Sequence, residues 1–187
     1  MKRLVVYFFV VPFILFLSHQ AFSQDLVIFS KTRPIEISYV GCATYKPIHV
    51  LRVNGETGVI YWKWENKSQA WCRWRTESLP ESNFSGYLDG RLIIKFYGAY
   101  EGRPPEVEFI DSRNIHTRPV NFDYSLRDDP ATGATVEIPL QAFGMVSDSS
   151  ANPREANPRE IKAIQFAAEY NSTRGKIIIT YIELCSS

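Results

Sequence analysis

The residues best suited to chemistry lie between Gly58 and Arg75, where tryptophan and tyrosine alternate with lysine and arginine. Read as two strands around a five-residue loop, with Trp64 opposite Ala70, the segment sorts into two faces. Ile60, Trp62, Trp64, Ala70, Cys72 and Trp74 share one face, which carries no charge and belongs in a core. Tyr61, Lys63, Trp71, Arg73 and Arg75 share the other. Flat aromatic rings cover the apolar side of a sugar, and Lys or Arg donors bind hydroxyls and carboxylates. An ordinary solvated outer face has the same composition, and pairing Trp64 with Trp71 would scramble the split. The run Arg91–Tyr100 repeats the alternation, with Leu92, Ile94 and Phe96 inward and Lys95 and Tyr97 outward. Lys95 and Tyr97 would extend the basic aromatic surface if that strand joins the same sheet.

No catalytic set accompanies this surface. The chain has no Gly-x-Ser-x-Gly elbow, phosphate loop or dinucleotide fingerprint. Beyond the leader described below it has two histidines, His49 and His116, and neither sits at metal-ligand spacing. Carboxylates are present at Glu106, Glu108, Asp111, Asp123, Glu137 and Glu169. A glycosidase needs two of them at a set separation, which sequence does not show. Cysteines stand at 42, 72 and 185. At most one disulfide can form among them; Cys42–Cys72 is one reading and three unpaired buried thiols the other.

The elements that must position these residues are short strands. Candidates are Leu26–Ser30, Ile35–Tyr39, Ile48–Val53, Val59–Trp64, Ala70–Thr76, Arg91–Tyr100, Glu106–Asp111, Val120–Leu126, Thr135–Pro139, Ile161–Tyr170 and Lys176–Leu184. Asn54-Gly55, Asn66-Lys67-Ser68, Asp89-Gly90, Gly102–Pro105 and Asp129-Pro130 separate them with turn chemistry. No segment keeps a helical period, so the fold class is all-β, a two-sheet antiparallel sandwich or barrel. The five residues Ala151–Glu155 recur unchanged as Ala156–Glu160. Their Pro and Asn content reads as a solvated loop carrying a tolerated duplication.

The ends of the chain set its compartment. Lys2 and Arg3 precede an uncharged run, Leu4–Leu17, and the small residues Ala21 and Ser23 stand at positions −3 and −1 of a cut after Ser23. This is the pattern of a cleavable signal peptide, residues 1–23. The run is short of the roughly 20 apolar residues of a spanning helix and contains Pro12. A single β-sandwich domain, 24–187, is expected to be secreted or periplasmic, with no membrane span. The whole chain carries +1; without Lys2 and Arg3 the remainder carries −1. Near-neutral charge argues against nucleic acid as partner. Asn-x-Ser/Thr triplets occur at Asn66, Asn83 and Asn171.

From Leu79 onward the order of pieces carries a resemblance. Phe84-Ser85-Gly86-Tyr87 precedes a strand at Gly90–Gly98, and Val107–Asp111 follows. Then come Ile138-Pro139-Leu140 closing on Phe143, a strand at Ile161–Phe166, and a last strand at Lys176–Leu184. The chain resembles the galactose-binding-like jelly-roll superfamily, especially its non-catalytic carbohydrate-binding modules. The resemblance implies a two-sheet jelly roll that binds polysaccharide or oligosaccharide. It also implies a structural calcium near the first and last strands. Glu183 stands at the late acidic position, but Leu26–Ser30 has no Glu, so no cofactor is assigned. The expected site is Tyr61, Lys63, Trp71, Arg73, Arg75, Lys95 and Tyr97, and its cations point to an acidic polysaccharide. The same face could serve an envelope protein in an assembly role, and a lyase or hydrolase is the third reading.

Overall fold

A computed structural model of the chain describes residues 25–42, 52–53, 56–65, 71–121, 133–145, 154–169 and 172–187. The expected leader, most of the strand at Ile48–Val53, the loop at Asn66–Ser68 and residues 122–126 lie outside them. The strands are β1 (Leu26–Phe29), β2 (Ile37–Cys42), β3 (Arg52–Val53), β4 (Glu56–Thr57), β5 (Ile60–Glu65) and β6 (Trp71–Thr76). They continue with β7 (Arg91–Gly102), β8 (Glu106–Asp111), β9 (Val120–Asn121), β10 (Ala134–Pro139), β11 (Ile161–Glu169) and β12 (Ser172–Cys185). Short 3-10 turns cover Ser85–Tyr87 and Leu140–Phe143. No helix among the described residues is long and apolar enough to cross a membrane.

Two antiparallel sheets pack face to face. The first runs β1–β12–β7–β10, with β5 also paired to β12; the second runs β2–β6–β11–β8–β9. β7 borders one edge of β12, so β1 and β5 lie end to end along the other. Alternation predicts the buried set well: Ile60, Trp62 and Trp64 of β5 and Cys72 and Trp74 of β6 are all buried.

One expectation fails here. β5 and β6 do not form a hairpin: β5 pairs with β12 in the first sheet, and β6 with β2 and β11 in the second. The two strands thus stand in opposite sheets. The tryptophans therefore meet through the core. Trp62 stands edge-on to Trp74 with centroids 6.0 Å apart, and Trp74 stacks on Phe166 at 4.3 Å. Trp64 lies so close to β12 that a Cβ at Gly175 would sit 2.1 Å from its ring.

The repeated pentapeptide is also more than a solvated loop. Ala156, Asn157 and Pro158 of the second copy are buried. The Phe84 N–H donates to the Pro158 carbonyl at 2.7 Å, and the Asn157 N–H donates to Asp111 at 3.1 Å. The Asn157 side chain accepts from the Arg159 N–H at 3.1 Å, and Glu160 accepts from the Ser112 hydroxyl at 2.6 Å. Of the first copy, residues 151–153 lie outside the described set. Deleting either copy yields the same sequence, and the remaining copy can dock in the same place. Shortening a connection by five residues changes closure entropy little. We expect the five-residue deletion to melt within about 3 °C of the parent. Asn157→Gly, which removes a turn-forming acceptor worth about 1 kcal/mol, should lower the melting temperature by roughly 2–4 °C. Differential scanning calorimetry on both proteins checks the ordering, and unfolding of the deletion would refute it.

Candidate functional site

The seven expected site residues do not form one surface, because β5 and β6 belong to different sheets. Tyr61 and Lys63 on β5, with Lys95 and Tyr97 on β7, lie on the outer face of the first sheet. Trp71, Arg73 and Arg75 on β6 lie on the outer face of the second. The sandwich separates the two groups.

The second sheet offers the more elaborated surface. Register across β6, β11 and β8 builds one row from Arg75, Gln165 and Glu108, and the next from Arg73, Ala167 and Glu106. Trp71 pairs with Glu169 beyond them. In the middle row a short Ala167 separates two long side chains, so the surface dips over β11. Gln165 is 2% exposed and Ala167 3%, although both point away from the core shared with Ile164 and Phe166. β11 is thus buried on both faces: on the outer side the longer side chains of β6 and β8 close over Gln165 and Ala167, and this low strip between them is called the recess. Trp71 stands at its end, 39% exposed, as the one exposed large hydrophobic side chain among the described residues.

The recess is lined by polar groups already held in place. Arg73 forms an ion pair with Glu169, donating from Nε at 2.6 Å, and its guanidinium sits 5.2 Å from the Trp71 ring centroid. Gln165 donates to Glu108 at 2.5 Å, and His116 Nδ1 lies 3.1 Å from the same carboxylate oxygen. Arg103 pairs with Glu106 at 2.8 Å. Burial pushes the Glu106 carboxyl above the ordinary range; Arg103 opposes this, and Glu169 and Glu108 add to it. Such a set offers paired donors and acceptors beside an aromatic face, which is what adjacent sugar hydroxyls and a pyranose face require. Sequence reading noted Glu106, Glu108, Glu169 and His116 but did not join them to Trp71. The usable signal was β11 itself, Ala163-Ile164-Gln165-Phe166-Ala167-Ala168, apolar enough to be buried on both sides.

The resemblance also implied calcium. Asp25, Glu183 and Cys185 bring one ligand atom each within 4.8 Å of one another, beside the first and last strands. Burial, reinforced by Glu183 and Asp25, pushes the Cys185 thiol up to about 11, so it stays protonated. Calcium takes six to eight oxygen ligands. Two carboxylates and a protonated thiol are a poor match for that shell. Cys185 is free and Cys72 is disulfide-bonded, with Cys42 opposite Cys72 in the β2–β6 register.

Comparison with known proteins agrees on the fold. The chain is similar to the family 11 carbohydrate-binding module from Clostridium thermocellum in complex with a β-1,3-1,4-mixed-linked tetrasaccharide. That match has 15% identity and a TM-score of 0.58, covering 87% of this chain and 96% of that one. It is similar to the family 30 carbohydrate-binding module of a cellulosomal cellulase of the same organism, at 13% identity and a TM-score of 0.55, covering 88% and 98%. A β-1,2-glucanase from Parabacteroides distasonis matches at 16% identity and a TM-score of 0.58, over 87% of this chain but 25% of the enzyme. No protein-family model matches the chain, and no curated protein matches it. The fold is the jelly roll of carbohydrate-binding modules.

Proposed function

We propose that the protein is an exported, non-catalytic carbohydrate-binding module, and that its polysaccharide lies in the recess over β11. One observation carries this reading: exposed Trp71 stands on the outer face of the second sheet in register with Arg73, Glu106, Glu108 and Glu169, which rise around the short Ala167. The structures similar in fold include carbohydrate-binding modules, one of them in complex with an oligosaccharide. Arg73 and Arg103 are each paired with a carboxylate, so charge in the recess is close to balanced and suits a neutral chain. Export accords with the leader-like residues 1–23 and with a disulfide at Cys72, since such bonds persist in oxidising compartments. We infer Cys42 as its partner.

Affinity electrophoresis in gels of mixed-linkage β-glucan and other neutral polysaccharides tests the reading. The protein should be retarded by at least one polymer without releasing reducing ends from it. Trp71→Ala should weaken that binding at least tenfold, about 1.4 kcal/mol. Tyr61→Ala, on the opposite sheet, should leave it unchanged. Undiminished retardation of Trp71→Ala would remove the recess from the proposal, and no retardation in any gel would remove the function.

A further inference from the structure

The outer face of the first sheet has no part in that recess, yet it is not an ordinary solvated surface. Tyr61, Ile178 and Tyr97 stand in register across β5, β12 and β7. All three are half-buried, so they form a low aromatic and apolar row. Two strand spacings separate Tyr61 from Tyr97, roughly 10 Å, the reach of a disaccharide. Cations border the row on both sides. Lys63 and Lys176 face each other directly across the β5–β12 pair, with Ala99 next in line, and Lys95 pairs with Tyr181 on the other side.

These lysines are kept available. The arginines on the same face are engaged, Arg91 with Glu137 at 2.7 Å and Arg174 with Glu101 at 2.5 Å. Among the described residues none of the three lysines forms an ion pair. The Lys176 ammonium instead lies 5.6 Å from the Tyr61 ring centroid, and that of Lys95 lies 5.0 Å from Tyr181. Like charges directly opposite in a sheet destabilise it, so the Lys63–Lys176 pair is a standing cost that an anion would relieve. Beside it opens a depression of about 340 Å³, lined by Lys63, Glu65, Ala99, Glu101, Arg174 and Lys176 among others.

We propose that this face is a second binding surface, independent of the recess, and that it takes a carboxylate-bearing polysaccharide. Sugar rings lie along the Tyr61–Ile178–Tyr97 row, and uronate groups reach Lys63, Lys176 and Lys95 on either side. A phosphate polymer fits less well. Among the described residues this face presents no unpaired arginine to grip phosphate with two hydrogen bonds.

The test is affinity electrophoresis of the full exported chain in polygalacturonate, in alginate and in mixed-linkage β-glucan. The protein should be retarded by at least one uronate polymer, less so as salt rises. The Lys63→Gln/Lys176→Gln double variant should bind that polymer at least tenfold more weakly and keep its behaviour in neutral gels. Freed of like charges placed opposite each other, it should melt about 1–3 °C higher, which separates lost binding from lost folding. Trp71→Ala should bind the uronate as before. Passage of the unmodified protein through both uronate gels without retardation overturns the proposal. So does unchanged affinity in the double variant, or an equal loss in Trp71→Ala. Retardation by duplex DNA that disappears in the double variant assigns the face to phosphate and likewise overturns it.

Discussion

Replacing Asp111 with alanine should cost about 3–5 kcal/mol of stability, a large part of the margin of a typical domain. The side chain is fully buried at the end of β8. One carboxylate oxygen accepts the N–H groups of Arg113 and Ile115, each at 2.9 Å. The other accepts the Arg113 guanidinium at 2.7 and 2.9 Å and the Asn157 N–H at 3.1 Å. Alanine would leave three backbone donors and a guanidinium facing an empty space. Each orphaned donor costs about 1–3 kcal/mol when water cannot replace the lost acceptor. The same turn sets His116 in a bridge with Ile110, and so beside Glu108 in the recess. Loss of stability should therefore come with weaker glycan binding.

The acid limb of stability gives a second handle on Asp111. Burial alone would raise its pKa, but the hydrogen bonds from Ile115 and Asn157, with Arg113, outweigh it and hold the carboxyl below its ordinary value. A carboxyl lowered on folding contributes stability above its unfolded pKa, about 3.9. That contribution fades as pH falls below this value toward the folded one. Urea unfolding of the parent and of Asp111→Asn should show the larger gap at pH 7 and a narrower one near pH 3. A gap that is constant with pH would show that the charge of Asp111 contributes nothing.

Gly98→Ala should be comparably severe, for a backbone reason. Gly98 sits within β7 at φ +126°, a conformation L side chains rarely adopt. A Cβ there would lie 1.9 Å from the Lys176 carbonyl oxygen, which is backbone of the adjoining strand. No side-chain rotation relieves that contact; β7 and β12 must separate or shift register. These strands share the longest pairing among the described residues, from Ser172–Gly102 to Cys185–Arg91. The expected loss is 3 kcal/mol or more, combining strain with broken pairing. Gly86→Ala is the control, since a Cβ there meets nothing within 4 Å, and it should melt within about 2 °C of the parent. A Gly98→Ala protein with an unchanged denaturant midpoint would show that β7 accommodates the methyl group.

Much of the architecture was legible in the chain before folding was considered. Glu106–Asp111 is a strand with the bounds alternation sets, and Leu92, Ile94 and Phe96 point inward. The order of pieces from Phe84 to Leu184 pointed to the jelly roll. In the second pentapeptide copy, Pro and Asn signal a turn without saying whether the turn is packed. Only the contacts from Asp111, Phe84 and Ser112 bury it.

The site shows the same limit more sharply. Sequence determined by itself which side chains face in and which face out, because a period of two is a local property of an extended backbone. Trp62, Trp64 and Trp74 went to the core and Tyr61, Lys63, Trp71, Arg73 and Arg75 to the surface on that basis alone. Which surface they reached was decided by the tertiary structure. A five-residue connection serves a hairpin or an arch between sheets, and both leave the in–out parity of β5 and β6 unchanged. The choice rests on long-range pairing, β5 with β12 and β6 with β2 and β11. That pairing divided one expected platform into two faces on opposite sides of the sandwich.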